Sequence, residues 1–183
     1  IEISQVDENK RPIKGTEQRF DVDTLLLSIG LIPNNDLLNK MGIPQSRSRG
    51  SVVNEHLETS IDGVFSCGNV LHVHDLADYV VDEGESAADY LQGNLPRHKE
   101  TLKTVAGNGI GYVVPGEIDM ENAPEKIAFK FRVRVPSKNV YIQYDFDGEV
   151  VKRIYKQTII PSEMEIDRLP KSLFKKKQGT ITV

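Results

Sequence analysis

The residues whose types and spacing carry the clearest chemistry are Gly63-Val64-Phe65-Ser66-Cys67-Gly68-Asn69-Val70. Asp62-Gly63 makes a turn, Val64 to Cys67 reads as a buried strand, and Gly68 lacks a Cβ where the backbone must come close to something. A side chain at position 69, at the carboxyl end of a parallel strand, points into the crevice where open α/β sheets bind ligands. His72 and His74 follow in H-x-H spacing. A metal site needs further ligands, and none stands at metal-binding spacing in the sequence, so the pair reads as loop histidines. Cys67 is the single cysteine, which excludes an internal disulfide. Its place inside a strand favours a packed thiol over a redox centre. Gly107-Asn108-Gly109-Ile110-Gly111 imitates a dinucleotide loop. The third glycine of that fingerprint would fall at Tyr112, and Tyr112-Val113-Val114-Pro115 is strand-like rather than helical, so the segment is a turn.

The elements that must position these residues are legible in part. Thr24-Leu25-Leu26-Leu27-Ser28-Ile29 is a nearly continuous apolar run, as in a strand buried on both faces of a parallel sheet. Gly30 ends it. Asp36 is placed to cap a short helix over Leu37 to Met41, stopped by Gly42. Ser51 to Asn54 reads as a short strand. A long helix spans about Asp75 to Gln92, with Asp75 and Asp78 resembling a capping pair near its positive end. Leu76, Val80, Gly84, Ala87, Ala88 and Leu91 fall on one face, a stripe suited to close packing on a sheet. Gly93-Asn94 stops this helix, and Pro96 starts a linker. From Thr104 the period changes to two. Ile127, Phe129, Phe131, Val133 and Val135 alternate with polar residues, as do Val140, Ile142, Tyr144 and Phe146. Asp147-Gly148 is a hairpin turn into Glu149 to Ile160, and Thr180 to Val183 is strand-like.

Hydrophobic residues make up 38% of the 183-residue chain and charged residues 27%, which fits a soluble globular class. No apolar run approaches the roughly 18 residues of a membrane span. Ile1-Glu2-Ile3-Ser4 has no initiator Met and no signal layout, and reads as a strand already under way in an excised piece. The net charge of -4 hides an asymmetry. Residues 1–96 hold 7 Lys+Arg and 16 Asp+Glu, and residues 97–183 hold 16 and 11. This sign change predicts two modules, 1–96 and 97–183. Lys175-Lys176-Lys177 is the one basic run and lacks interleaved aromatics, so no nucleic-acid partner is expected. A lone cysteine suits a reducing, cytoplasmic setting.

The Gly63–Val70 block resembles the second FAD motif of the pyridine nucleotide-disulfide oxidoreductase superfamily, roughly T-x-x-x-G-V-F-A-x-G-D before a helix. Thr59, Gly63, Val64, Phe65 and Gly68 match, and Asn69 stands where the family usually has Asp. Upstream, Asp23 to Asn34 resembles the family's strand-Gly-x-x-Pro-Asn segment, with Gly30 at its glycine. The two blocks keep the family's order and approximate spacing, and the resemblance covers about residues 1–93.

It implies an α/β fold: part of an FAD/NAD(P)-binding Rossmann-like domain over 1–96, followed by a small antiparallel β-sandwich or barrel over 97–183. It also implies FAD as cofactor, NAD(P)H as cosubstrate of the full-length protein, and an excised piece that is inactive alone. Gly30, Gly68, Asn69 and Val70 would meet the FAD chain. The N–H groups and dipole of the following helix, at Ala77, Asp78 and Tyr79, would approach the flavin ring. Lys130 to Pro136 and Ile159 to Met164 are similar to tails of bacterial FAD-dependent oxidoreductases of glycerol-3-phosphate dehydrogenase operons. That similarity implies docking to a companion flavoprotein or dehydrogenase subunit. A non-catalytic relic with a docking β domain is the alternative, and exposed sheet edges would favour homo-oligomers of the piece.

Overall fold

The computed structural model describes residues 1–93, 100–174 and 178–183. The expected helix stop at Asn94, the linker start at Pro96 and the basic run at 175–177 lie outside the described residues. The chain divides into two compact units, Ile1–Leu31 and Ile32–Val183.

The first unit holds β1 (Glu2–Ile3) and β2 (Gln18–Arg19), paired antiparallel with Glu2 opposite Arg19. The expected buried strand Thr24–Ile29 does not form: these residues lie in no ladder, and Leu26 is 90% and Ile29 86% exposed. A central parallel strand gains its hydrogen bonds and burial from neighbours on both sides. Among the described residues no strand pairs with this run.

The second unit begins with α1 (Asp36–Lys40), whose N-cap is Asn35 rather than the expected Asp36. Asn35 is buried and spends its amide on the carbonyls of Arg49 and Val70, at 2.7 and 3.0 Å. The expected strands at 51–54 and 64–67 reduce to isolated bridges, Gln45 with Ser51 and Glu58 with Phe65. The turn at Asp62-Gly63 does form, closed by Val64 N–H on the Ile61 carbonyl at 3.0 Å.

Helix α2 (Ala77–Gln92) follows with Leu76 as its N-cap. Asp75 does not cap it, because its carboxylate is taken by Arg132 and by the Met164 N–H. The buried face of α2 also differs from the expected stripe: Glu83 and Ala87 are buried, whereas Leu76 and Leu91 are exposed. Ala87 packs in a small core with Val53, Leu57, Leu71 and Val114.

The remaining strands are β3 (Leu102–Val105), β4 (Ile110–Val114), β5 (Glu117–Ile118), β6 (Lys126–Val133), β7 (Ser137–Phe146), β8 (Glu149–Ile159), β9 (Glu165–Pro170) and β10 (Gly179–Thr182). They form a five-stranded sheet ordered β5-β3-β10-β7-β8 and a three-stranded sheet ordered β4-β6-β9. The expected antiparallel pattern holds except between β3 and β10, which run parallel with Leu102 opposite Gly179. The inward residues of both sheets, among them Phe129, Phe131, Tyr144 and Ile181, share one core. Period-two sequence produces this: β6 alternates buried Ile127, Phe129, Phe131 and Val133 with half-buried Ala128, Lys130 and Arg132. Those half-buried residues project from the sheet face opposite the common core. There they meet α2 and the loop before it, which places the polar site.

Candidate functional site

Gly68–Val70 is a single 3-10 turn rather than the end of a strand. Gly68 has φ +67, and a Cβ on it would lie 2.9 Å from Val80 Cγ1. The missing side chain therefore admits α2 itself. The turn packs on α2 through Gly68, which faces Val80 and donates its N–H to Glu83. Gly30 lies in the first unit, with φ +88 and open space around the position a Cβ would take.

Glu83, a residue outside every motif of the sequence, is the centre of the polar network. It is 1% exposed. Its Oε2 accepts the Gly68 N–H at 2.7 Å, and its Oε1 lies 2.8 Å from His72 Nε2 and accepts from Lys130 Nζ at 2.6 Å. His74 Nε2 lies 3.0 Å from Oε2. Burial alone pushes the Glu83 carboxyl up, but His72, His74 and Lys130 overcome it and hold the group well below the usual carboxylate range. Burial pushes His72 down against the pull of Glu83, which favours the neutral imidazole. Burial, and then the charge of Glu83, pushes the Cys67 thiol up, in keeping with an unreactive thiol.

A periodic signal for Glu83 does exist in the sequence. Val80, Glu83 and Ala87 share a helical face at i, i+3 and i+7, so a carboxylate on that face must be paired. No signal marks Lys130 or Arg132, which reach α2 and its loop only because β6 passes beneath them.

A second clasp joins the same regions. Arg132 donates to Asp75 and, at 3.0 Å, to the Val73 carbonyl, while the Met164 N–H donates to Asp75 at 2.7 Å. Beside these contacts a cavity of about 200 Å3 lies between α2 and the β4-β6-β9 sheet, lined in part by Tyr79, Asp82, Glu83, Val114, Lys130 and Arg168.

Whether these residues suit a nucleotide-like cofactor depends on what the turn and the helix end leave free. Asn69 is exposed, and its Oδ1 accepts the His74 N–H at 3.0 Å. No side chain caps the N-terminus of α2, and Ala77 and Asp78 are exposed. The first-turn N–H groups of a 16-residue helix have no intrahelical acceptor, so this end can receive an electron-rich ring edge or an anion. The exposed turn and uncapped helix end fit such a group, although the Gly68 N–H is already committed to Glu83. No helix among the described residues is long and apolar enough to cross a membrane.

Comparison with known proteins points to one group. Residues 1–85 match the family model described as pyridine nucleotide-disulphide oxidoreductase. The chain is 32% identical over 120 residues to a dihydrolipoyl dehydrogenase of Mycoplasma genitalium, covering 64% of this chain and 26% of that protein. It is 37% identical over 87 residues to a dihydrolipoyl dehydrogenase of Manduca sexta, covering 46% and 17%. It is 28% identical over 109 residues to an NADH-rubredoxin oxidoreductase of Clostridium acetobutylicum, covering 56% and 28%. The match thus spans between 17% and 28% of the length of these relatives. No solved structure matches it.

Proposed function

We propose that this chain, whose residues 1–85 match the pyridine nucleotide-disulphide oxidoreductase family model, is part of an FAD-dependent enzyme that passes a hydride from NAD(P)H to an acceptor. Bound FAD supplies the two-electron relay between nicotinamide and acceptor. The observation that supports this reading is that the 68–70 turn, with Asn69 exposed, packs on α2, a helix whose N-terminus has no side-chain cap, inside the matched residues. Asn69 and Val70 would hold the FAD chain, and the N–H groups of Ala77, Asp78 and Tyr79 would favour negative charge on the flavin ring. Gly30 would be a further contact of the cofactor. Asn69 in place of the usual Asp adds no negative charge beside a diphosphate and can both donate and accept.

In this reading residues 1–96 are the C-terminal part of the FAD/NAD(P)-binding domain, and residues 97–183 are a small β-sandwich. The protein works in the cytoplasm beside a companion flavoprotein or dehydrogenase subunit. This chain is inactive by itself.

A second reading draws on two contacts. The Gly68 N–H is bound to Glu83, and Asn69 Oδ1 to the His74 N–H, so two polar groups of the motif are internally satisfied. That favours a flavin-fold relic whose β module docks a partner. The absorbance spectrum of the full-length parent, before and after NADH, separates the two. Flavin bands that bleach with NADH, and that weaken in Asn69→Ala, support the enzyme. A folded, colourless parent that cannot be reconstituted with FAD moves the choice to the relic.

A further inference from the structure

The fold supplies what the H-x-H pair lacked in sequence. We propose that His72, His74 and Glu83 form a binding site for one divalent transition-metal ion of the zinc type. Their ligand-capable atoms all lie within 4.8 Å of one another. The side chains of His72, His74 and Glu83 are 0%, 1% and 1% exposed. Two imidazoles and one carboxylate are a ligand set suited to zinc and neighbouring first-row ions rather than to magnesium or calcium. Three protein ligands also leave a coordination position open for water or another group.

The second observation concerns His74. Its Nε2 contacts Glu83 Oε2 at 3.0 Å, and its buried Nδ1 has no hydrogen-bond partner. Buried imidazoles are normally satisfied, so this one calls for an explanation. Nitrogen and oxygen ligands on one ion, each about 2.0–2.2 Å from it, sit roughly 3 Å apart. The separation of His74 Nε2 from Glu83 Oε2, 3.0 Å, has that size, and a ring nitrogen of His72 lies in the same group of ligand-capable atoms.

Lys130 is the competing cation, since its Nζ holds Glu83 Oε1 at 2.6 Å. Coordination through Oε2 leaves Oε1 to Lys130, so the ammonium competes for the carboxylate's charge without occupying the ligand atom. The Gly68 N–H is the donor that orients the ligating oxygen. An ion has a way in, because Glu83 and Lys130 both line the cavity beside α2. Cys67 is not part of this group of ligand-capable atoms. The ion would tie the 68–74 loop to α2, and its binding requires no flavin.

The test uses this chain, stripped with a chelator and titrated with Co2+ and then Zn2+. The expected result is one saturable equivalent of Co2+ with visible ligand-field bands, displaced by Zn2+. Glu83→Gln and His74→Asn should each weaken binding on the order of tenfold or more. Lys130→Met removes the competing charge and no ligand, so it should bind at least as tightly as the parent chain. Circular dichroism checks the folding of each variant. If Glu83→Gln does not fold, His74→Asn and Lys130→Met decide. Absence of saturable bands in both the parent and Lys130→Met overturns the proposal. So does binding that survives Glu83→Gln or His74→Asn undiminished, which would place the ion elsewhere.

Discussion

Two glycines show what a single missing Cβ accomplishes. A Cβ on Gly50 would lie 1.6 Å from the Leu71 carbonyl oxygen, a backbone atom that cannot move aside alone. A Cβ on Gly68 would meet the Val80 side chain at 2.9 Å, and φ there is +67. Gly68→Ala should therefore cost about 1–3 kcal/mol, from the left-handed backbone and mild overpacking. Gly50→Ala should cost more, because the 44–51 loop must separate from the loop at Leu71. Urea denaturation of both variants checks the order; equal midpoints would contradict it. Of these two glycines the sequence revealed only Gly68, through its motif, and it left open what approaches it. Gly50 sits in a stretch with no motif, and its constraint arises from Leu71, 21 positions away. Tyr144 makes a comparable point in the β module. It is fully buried and donates to Asp167 at 2.9 Å, and burial with that carboxylate pushes its phenol far up. A raised folded pKa means stability that is intact below pH 10, where the unfolded phenol is still protonated, and that falls as pH rises above it. The loss should approach about 1.4 kcal/mol per pH unit for this one proton. Tyr144→Phe should flatten the stability profile above pH 10 relative to the parent. An unchanged slope would refute the assignment.

At the scale of elements, legibility followed the range of the interactions. The strands β6, β7, β8 and β10 were readable because alternation and the Asp147-Gly148 turn are local signals. That turn has φ of +50 and +89 at its two central residues, as a twisted two-residue hairpin requires. Helix α2 was readable to within two residues at its start, but its capping residue was not. Asp75 has the right chemistry for a cap, yet Arg132 and Met164 outbid the helix for its carboxylate, and neither is near in sequence. The Thr24–Ile29 strand failed for the opposite reason, since strand propensity is realised only beside partner strands. The hairpin yields a prediction of its own. Asp147 Oδ1 also accepts the Thr180 N–H at 2.9 Å, so the turn fastens β10 as well as joining β7 to β8. Asp147→Ala should cost more than loss of turn preference alone, about 1–3 kcal/mol. It should also speed amide exchange at 179–182 more than within β8. Faster exchange confined to the hairpin would show that the Thr180 contact contributes little.

At the scale of the whole molecule, the two units carry unequal shares of the buried apolar surface. Every buried hydrophobic residue from Ile43 to Val183 lies in the second unit, and the first contributes none. The second unit also contains α2, both sheets and the Glu83 network, each closed within residues 32–183. A chain of residues 32–183 should therefore fold alone and melt within a few degrees of the full chain. The first unit instead presents Leu25, Leu26, Leu27, Ile29 and Leu31 to solvent in one run, on backbone that pairs with no strand. Exposed apolar segments with unpaired N–H and C=O groups are the surfaces through which chains associate. Sedimentation velocity across a range of concentrations compares the two chains. The full chain should shift toward larger species as concentration rises, and residues 32–183 should remain monomeric. Association that persists after removal of residues 1–31 would move the contact surface to the β module, where the long edge strand β8 carries exposed Val150 and Tyr155. A full chain that stays monomeric would mean that this apolar run is not enough to join two copies.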